Sequence, residues 1–129
     1  MPVTVLIVED DFDAREVLAI LLRFEGFNVV TAENGLVGLD TVQSQRVDLV
    51  ITDIEMPQLD GIEMIRRLRA QDGFSSLPIV VISACDRRVM KKAMTAGATH
   101  TIRKPARFDL LTQTVNGLLR LDHNATNSQ

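Results

Sequence analysis

The stretch VDLVITDIEMP, residues 47–57, decides the fold of this chain. Its first part is short, β-branched and apolar at consecutive positions, which is typical of a strand buried on both faces of a parallel sheet. Asp53 ends the apolar run, and Pro57 with the turn pair Asp60-Gly61 prevents simple helical continuation. A carboxylate that leaves a buried strand for a loop is a candidate reaction centre.

Apolar runs of the same kind recur along the chain, and segments with helical spacing separate them. The predicted strands are residues 3–8, 27–32, 47–53, 79–84 and 99–103. After the first strand, apolar residues recur at the spacing of one helix, at Ala14, Val17, Leu18, Leu21 and Phe24. Strict alternation of strands and helices predicts an α/β fold, in which right-handed crossovers cover both faces of a parallel sheet.

Length and composition limit the function classes. A chain of 129 residues is expected to form one domain, residues 1–121, with a frayed polar tail at 122–129. One cysteine, Cys85, and two histidines exclude an internal disulfide and a usual Cys/His zinc site. No apolar run approaches the ~20 residues of a membrane span, and the net charge of −3 argues against direct binding of nucleic acid. We therefore expect a cytoplasmic protein without a membrane contact.

Polar residues follow four of the predicted strands. In a parallel α/β sheet, ligands bind beyond the carboxyl ends of the strands, where the strand order reverses. Residues far apart in sequence can therefore share one edge of the sheet. The candidates at this edge are Glu9, Asp10, Asp53, Ser83 and Lys104.

The chemistry of this group points to phosphoryl transfer. Three carboxylates in one cleft repel one another unless a cation is bound. Mg²⁺ takes one or two carboxylates together with water and phosphate oxygens, so Asp10 and Asp53 are expected as direct ligands and Glu9 as a ligand through water. Lys104 and Ser83 would then face a tetrahedral anion beside Asp53. Asp53 would become an aspartyl phosphate.

With these residues the chain resembles a response-regulator receiver domain of two-component signalling, similar to the single-domain chemotaxis regulator, from about Val3 to Leu121. The matching motifs are Glu9-Asp10, Asp53 with Met56-Pro57 and Asp60-Gly61, Ser83-Ala84 and Lys104-Pro105. The resemblance implies a flavodoxin-like doubly wound (βα)5 fold whose parallel strands have the order 2-1-3-4-5.

The resemblance also implies roles for individual residues. Asp53 would accept a phosphoryl group from the phosphohistidine of a sensor histidine kinase or a histidine phosphotransfer protein. The backbone carbonyl of Glu55 would complete the shell of Mg²⁺, with Mn²⁺ as a substitute, and Lys104-Pro105 would be joined by a cis peptide bond. The domain would catalyse only its own phosphorylation and dephosphorylation, and so would not be an enzyme for other substrates.

Receivers signal through a surface of helix four, strand five and helix five, which would here bind an unknown target or output domain. Dimerisation on phosphorylation is left open. The switch residues implied by the resemblance are Ser83 and Thr101. The chain departs from the family pattern here, because an aromatic residue is usual at Thr101 and is common at Ala106. Phosphorylation is therefore expected, whereas the aromatic form of the switch is not.

Three other functions compete with this interpretation. A phosphohydrolase of the haloacid-dehalogenase type requires a second Asp two residues after the nucleophile, where this chain has Glu55. A flavodoxin-like electron carrier needs a phosphate loop that the acids at 9–11 would repel. A receiver-like adaptor that is never phosphorylated would not need the intact set of acids, hydroxyl and lysine.

Two charged groups have more than one interpretation. Asp11 and Asp13 can each cap the first helix or contact the metal, and capping is the simpler role. The fourth helix is unusually basic, which fits a solvated face or a docking patch for an acidic partner. Its basic residues are Arg87, Arg88, Lys91 and Lys92.

Overall fold

The computed structural model describes residues 2–127, with side chains described as far as Arg120. Five strands alternate with five helices over this range. The strands are β1 Thr4–Val8, β2 Asn28–Ala32, β3 Leu49–Thr52, β4 Ile79–Ser83 and β5 His100–Arg103. The helices are α1 Phe12–Phe24, α2 Gly35–Ser44, α3 Gly61–Ala70, α4 Arg87–Ala96 and α5 Phe108–Asn127.

The strands form one parallel sheet in the order β2-β1-β3-β4-β5, which is the order that the resemblance to receivers implies. β3 lies at the centre, and all four of its residues are buried. Its last residue, Thr52, is in register with Val8 of β1 and Val81 of β4. The residues that follow β1 and β3 therefore emerge side by side.

Each face of the sheet packs against its own set of helices, because alternate strand residues point to opposite faces. α2, α3 and α4 cover one face. The core on this side includes Leu6, Val8, Val50, Met64, Ile65, Met90 and Ala93. α1 and α5 cover the other face, where the core includes Val5, Ile7, Leu22, Ile51, Ile102, Leu111 and Val115.

Four helices begin with a side-chain cap, which satisfies a backbone N–H of the first turn. In each case the cap accepts a hydrogen bond from the backbone N–H three residues on. The caps are Asp11, Asn34, Asp60 and Asp86. The capping role that the sequence favours for Asp11 is therefore confirmed, with 2.9 Å between its Oδ2 and the backbone nitrogen of Ala14.

The orientation of α1 differs from the simplest interpretation of its apolar pattern. Ala19 and Leu22 are fully buried, whereas Val17 is 57% and Phe24 89% exposed. Ile20 is also exposed, at 62%. Apolar residues cover most of the circumference of this helix, so periodicity predicts the helix but does not decide which side faces the sheet.

The apolar spacing of α3 places Arg66, Arg67 and Arg69 on its outward side, and the first two are exposed. Arg69, by contrast, is half-buried and donates to the carbonyls of Gly97 and Phe74. α5 continues to Asn127, within the segment expected as the polar tail. Residues 128 and 129 of the expected tail lie outside the described range. None of the helices described is long and apolar enough to cross a membrane.

We expect Gly61→Ala to destabilise the fold and Gly117→Ala to stabilise it. A Cβ at Gly61 would collide with the backbone carbonyl oxygen of Asp53, which cannot move aside as a flexible side chain can. The expected cost is at least about 2 kcal/mol. At Gly117, within α5, a Cβ meets nothing within 4 Å, and a gain of about 0.5–1 kcal/mol is expected. Urea unfolding of both variants tests this, and equal effects would contradict it.

Candidate functional site

The strand ends bring four of the predicted site residues to one place. Glu9 directly follows β1, Asp53 follows β3, Ser83 ends β4 and Lys104 follows β5. Backbone hydrogen bonds continue the sheet one residue past these ends. The N–H of Asp53 donates to the carbonyl of Val8 at 3.1 Å, and the N–H of Lys104 donates to that of Ser83 at 2.9 Å.

The ammonium of Lys104 joins two of the carboxylates. Its Nζ lies 2.8 Å from Oδ2 of Asp53 and 2.9 Å from Oε1 of Glu9. The carboxylates are well shielded, with 14% of the Asp53 side chain and 9% of the Glu9 side chain exposed. Three strands that are separate in sequence are thus connected through one cation.

The close approach of these charged groups changes the pKa values of Lys104 and Glu9. Burial alone would lower the pKa of Lys104, but its hydrogen bonds to Asp53 and Glu9 outweigh burial and raise that pKa to about 12. Burial raises the pKa of Glu9; the hydrogen bond from Lys104 opposes this shift and the charge of Asp53 adds to it. Lys104 therefore stays protonated at physiological pH, and the site carries more negative charge than one ammonium neutralises.

The second oxygen of Asp53 is held by its own loop. Oδ1 accepts a hydrogen bond of 2.6 Å from the backbone N–H of Ile54. Asp53 and Ser83 line the same open hollow of about 310 Å³. The hydroxyl of Ser83 is buried and accepts from the backbone N–H of Cys85 at 3.3 Å. A group bound to Asp53 in this hollow would meet both the Ser83 hydroxyl and the Lys104 ammonium.

Asp10 does not line this hollow, whereas Glu55 lines both this hollow and a neighbouring one. Asp10 is exposed and lines a separate hollow of about 530 Å³ with Ile54, Glu55 and Asp60. Among residues 2–120, whose side chains the structure describes, no three Asp, Glu, His or Cys side chains are grouped closely enough to hold a metal ion by themselves. The sequence predicts that these carboxylates lie at one edge of the sheet. In the structure, Glu9 and Asp53 both contact Lys104, whereas Asp10 lines a separate hollow.

The remaining predicted residues lie on or just after β5. Thr101 is half-buried and is in register with Val81 of β4. The Lys104–Pro105 peptide bond is cis. Sequence reasoning missed a contact across the hollow, in which Sγ of Cys85 donates to Oε1 of Glu55 at 3.4 Å. No sequence signal indicated it, because the two residues are 30 positions apart on different loops.

Fold and site together define a flavodoxin-like α/β domain with a carboxylate and lysine centre where its strand order reverses. A family model described as the response regulator receiver domain matches residues 5–116. The chain therefore belongs to the family of response regulator receiver domains.

Individual relatives agree with this assignment. The chain is 39% identical over 121 residues to the response regulator MprA of Mycobacterium sp. (strain KMS). The aligned part is 93% of this chain and 52% of MprA. It is 38% identical over 117 residues to a cyclic di-GMP phosphodiesterase of Thermotoga maritima, which covers 91% of this chain and 31% of that protein. The chain thus spans about half of the first relative and a third of the second.

A solved structure gives the same result. The crystal structure of the signal receiver domain of a signal transduction histidine kinase from Syntrophus aciditrophicus has a TM-score of 0.85 and 30% identity to this chain. The likeness covers 91% of this chain and 89% of the other.

We expect Lys104→Met to lower the free energy of unfolding by about 1–2 kcal/mol at pH 7 in a chelating buffer. The substitution leaves two shielded carboxylates without their shared cation, and the one-third exposure of the Lys104 side chain reduces the cost of a broken buried pair. The hydrogen bond from Lys104 opposes the upward shift of the Glu9 pKa, so its loss raises that pKa further in the folded variant. The deficit is therefore present above the ordinary carboxyl pKa, and it should shrink as the pH falls to about 4 and Glu9 takes up a proton.

Urea unfolding at both pH values measures this difference. Lys91→Met is the matched control, because Lys91 is exposed on α4, and its effect should stay within about 0.5 kcal/mol. An equal effect of the two substitutions, or a deficit at Lys104 that does not change with pH, would contradict the argument.

Proposed function

We propose that this chain is the phosphoacceptor receiver of a two-component phosphorelay. In this proposal Asp53 takes a phosphoryl group from the phosphohistidine of a sensor histidine kinase or a histidine phosphotransfer protein, in the cytoplasm. The main support is the contact of Lys104 Nζ with Asp53 Oδ2 at 2.8 Å, beside the buried hydroxyl of Ser83. Catalysis is confined to the domain's own phosphorylation and dephosphorylation.

In the transfer, a carboxylate oxygen of Asp53 attacks the phosphorus atom. The bond from phosphorus to the imidazole nitrogen breaks, and the imidazole leaves with that electron pair and is protonated by solvent. Asp53 becomes an acyl phosphate, and later attack by water releases inorganic phosphate and restores the carboxylate. Lys104 pairs with the side chain of Asp53 beforehand and would then face the phosphoryl oxygens, because positioning and charge neutralisation dominate this chemistry.

A divalent cation fits the remaining charge of the site. Glu9, Asp10 and Asp53 supply three carboxylates, against which Lys104 supplies one ammonium. This set of oxygen donors is typical of Mg²⁺, or Mn²⁺ in its place. Asp10, Asp53 and the backbone carbonyl of Glu55 would hold the ion directly and Glu9 through water. The bound ion would neutralise charge on the phosphoryl oxygens.

Phosphorylation would be sensed at β4 and β5. The Ser83 hydroxyl would bond a phosphoryl oxygen, and Ser83 is in register with Arg103 of β5. Since Thr101 replaces the usual aromatic, we propose that the change passes through the loop after β4 to α4. A downstream target or an output domain would read the altered surface of α4, β5 and α5.

The phosphoryl donor would dock on α1. Val17, Ile20 and Phe24 form an exposed apolar stripe on this helix. Beside the stripe, a groove of about 700 Å³ between α1 and α5 leads to Asp53 and Lys104. An apolar surface that continues into the reaction site suits a helical partner, whose imidazole must come within about 3–3.5 Å of the carboxylate.

Phosphorylation by a small donor tests the proposed acceptor. Incubation with acetyl phosphate or phosphoramidate and Mg²⁺ should add one phosphoryl group, as measured by intact-mass spectrometry. Asp53→Asn should remove the adduct, and Asp40→Asn, on the exposed surface of α2, should keep it. Chelation of the metal should suppress the adduct.

Fast hydrolysis could hide the product, so beryllofluoride binding is measured in parallel. A chain that neither accepts the phosphoryl group nor binds beryllofluoride is not a phosphoacceptor. In that case a receiver-like adaptor that works without phosphorylation becomes the better account.

The docking role of α1 has its own test. With any autophosphorylated histidine kinase that phosphorylates the wild type, Ile20→Glu should lower kcat/KM at least about tenfold, because it places a charge in an apolar interface. Phosphorylation by acetyl phosphate should stay within about twofold, since that donor needs no docking. Ser75→Glu, in the exposed loop after α3, is the control. Equal losses with both donors would assign Ile20 to the fold instead of to docking.

A further inference from the structure

The groove between α1 and α5 extends well beyond the proposed reaction site. Its volume is about 700 Å³, and only one end of it holds Asp53 and Lys104. The rest is lined mainly by apolar side chains of the two helices and the sheet. Hollows of about 300–1,000 Å³ with mainly apolar walls are typical of sites for small molecules. The groove therefore has room for a ligand that the proposed reaction does not require.

Half-buried apolar side chains form the walls of the groove. Ala14, Leu18 and Leu21 are three or four residues apart, so they share one face of α1. Ala106 and Phe108 line the groove where α5 begins. All five are only partly covered by the protein. A bound apolar group would remove this remaining surface from water, which favours binding.

Small residues keep the groove open near the strand ends. Ala84 follows β4, and Ala106 lies two residues after Lys104, at a position where an aromatic residue is common in receivers. Beneath the groove the sheet is closed, because Ile7 and Ile51 are no more than 2% exposed. The space therefore suits one ring or a short branched chain that lies against the walls without entering the core.

The charges beside the groove favour a cation. Among the described residues that line it, Lys104 is the one cation, and Glu9 and Asp53 already share its ammonium. Asp11 and Asp13 line the groove from the start of α1, and both are exposed. Neither belongs to an ion pair within the part of the chain whose side chains are described. An ammonium group beside them would be attracted, whereas an anion would be repelled.

We infer that the groove binds a small cationic amphiphile, an amine whose apolar body is a single ring or a branched chain. The body would lie between α1 and α5, against Leu18 and Phe108. The ammonium would face Asp11 and Asp13. This inference goes beyond the proposed function, since binding of the amine does not require that Asp53 be phosphorylated.

A helix or a second copy of the chain is a poorer occupant. A helix is about 10 Å across with its side chains, so it would cover the groove along the stripe of Val17, Ile20 and Phe24 without lying inside it. A symmetric dimer would set this surface against itself and bring the carboxylates of both α1 helices into one interface. A small molecule avoids both problems.

Binding of phenethylamine tests the inference, with hydrocinnamate as the matched anion. Both probes carry a phenyl ring on a short chain, and they differ mainly in the sign of their charge. An amide NMR titration of the full chain near pH 7, with Mg²⁺ present, should give a Kd of about 1 mM or below for the amine. Hydrocinnamate should bind at least about fivefold more weakly. The amide signals of Leu18, Leu21 and Phe108 should be among those that shift.

Two matched substitutions test the place of the apolar body. Ala106→Phe should weaken phenethylamine binding at least about tenfold, because the added ring takes up space in the groove. Ala70→Phe adds the same ring at the exposed end of α3 and should change binding by no more than about twofold. Equal effects of the two substitutions would mean that the amine does not lie in the groove.

A second pair of substitutions tests the place of the charge and does not alter the walls. Asp13→Asn should weaken phenethylamine binding about threefold at low salt, as expected for an exposed charge pair. Asp72→Asn, in the exposed loop after α3, makes the same charge change and should have no measurable effect. An equal loss in both variants would assign the preference for the amine to net charge and overturn the assigned site.

Other results would also overturn the inference. One is tighter binding of hydrocinnamate than of phenethylamine, and another is a set of shifted signals confined to α4 and β5. A dimer, seen by sedimentation, that Ala106→Phe abolishes would assign the groove to a second copy.

Phosphorylation by acetyl phosphate is followed in the same samples, which separates this inference from the proposed function. If the chain is phosphorylated but does not bind phenethylamine, the amine site alone is refuted. If it binds phenethylamine but accepts no phosphoryl group, the amine site is supported and the proposed function is refuted.

Discussion

The bridge of Lys104 between Asp53 and Glu9 is the contact on which the site depends. The two carboxylates follow adjacent strands, so they are forced together by the register of the sheet. Two shielded anions at this distance repel each other unless a cation lies between them. Because Lys104 follows the edge strand β5, the same contact ties the edge of the sheet to its centre. In the proposed function, a phosphoryl group on Asp53 would compete with the carboxylates for this ammonium, so phosphorylation at the end of β3 would change a contact of the residue that follows β5.

The helices on the two faces of the sheet expose different kinds of side chain. α1 covers one face and exposes an apolar stripe beside the groove that leads to Asp53. α4 covers the opposite face and exposes the basic side chains of Arg87, Arg88, Lys91 and Lys92. A partner chosen by apolar contact and a partner chosen by charge would therefore approach from opposite sides. In this arrangement, the proposed donor and the proposed target need not displace each other.

Sequence reasoning works here where the signal is local or follows from topology. The strand order, the caps such as Asp11 and the convergence of Asp53 with Lys104 follow from turn chemistry, alternation and the family motifs. The sequence does not predict which face of α1 is exposed. Phe24 lies at a helical spacing that a buried apolar residue would also have, although it is exposed in the structure. The burial of Arg69 depends on the carbonyl of Phe74 in the loop after α3 and on that of Gly97, 28 residues away, and helical periodicity carries no information about these contacts.

Arg69 also determines how α4 can move. Its guanidinium holds the carbonyl of Gly97 at 3.0 Å and that of Phe74 at 2.7 Å, so the carboxyl end of α4 is fastened to α3. A Cβ at Gly97 would lie 2.6 Å from Cγ of Arg69, so this joint leaves no space for a larger residue. The other end of α4 begins at Asp86, next to the reaction site. α4 is therefore held at its carboxyl end, at Gly97. If the loop after β4 shifted beside Ser83, the amino end of α4 would move furthest, and with it Arg87 and Arg88.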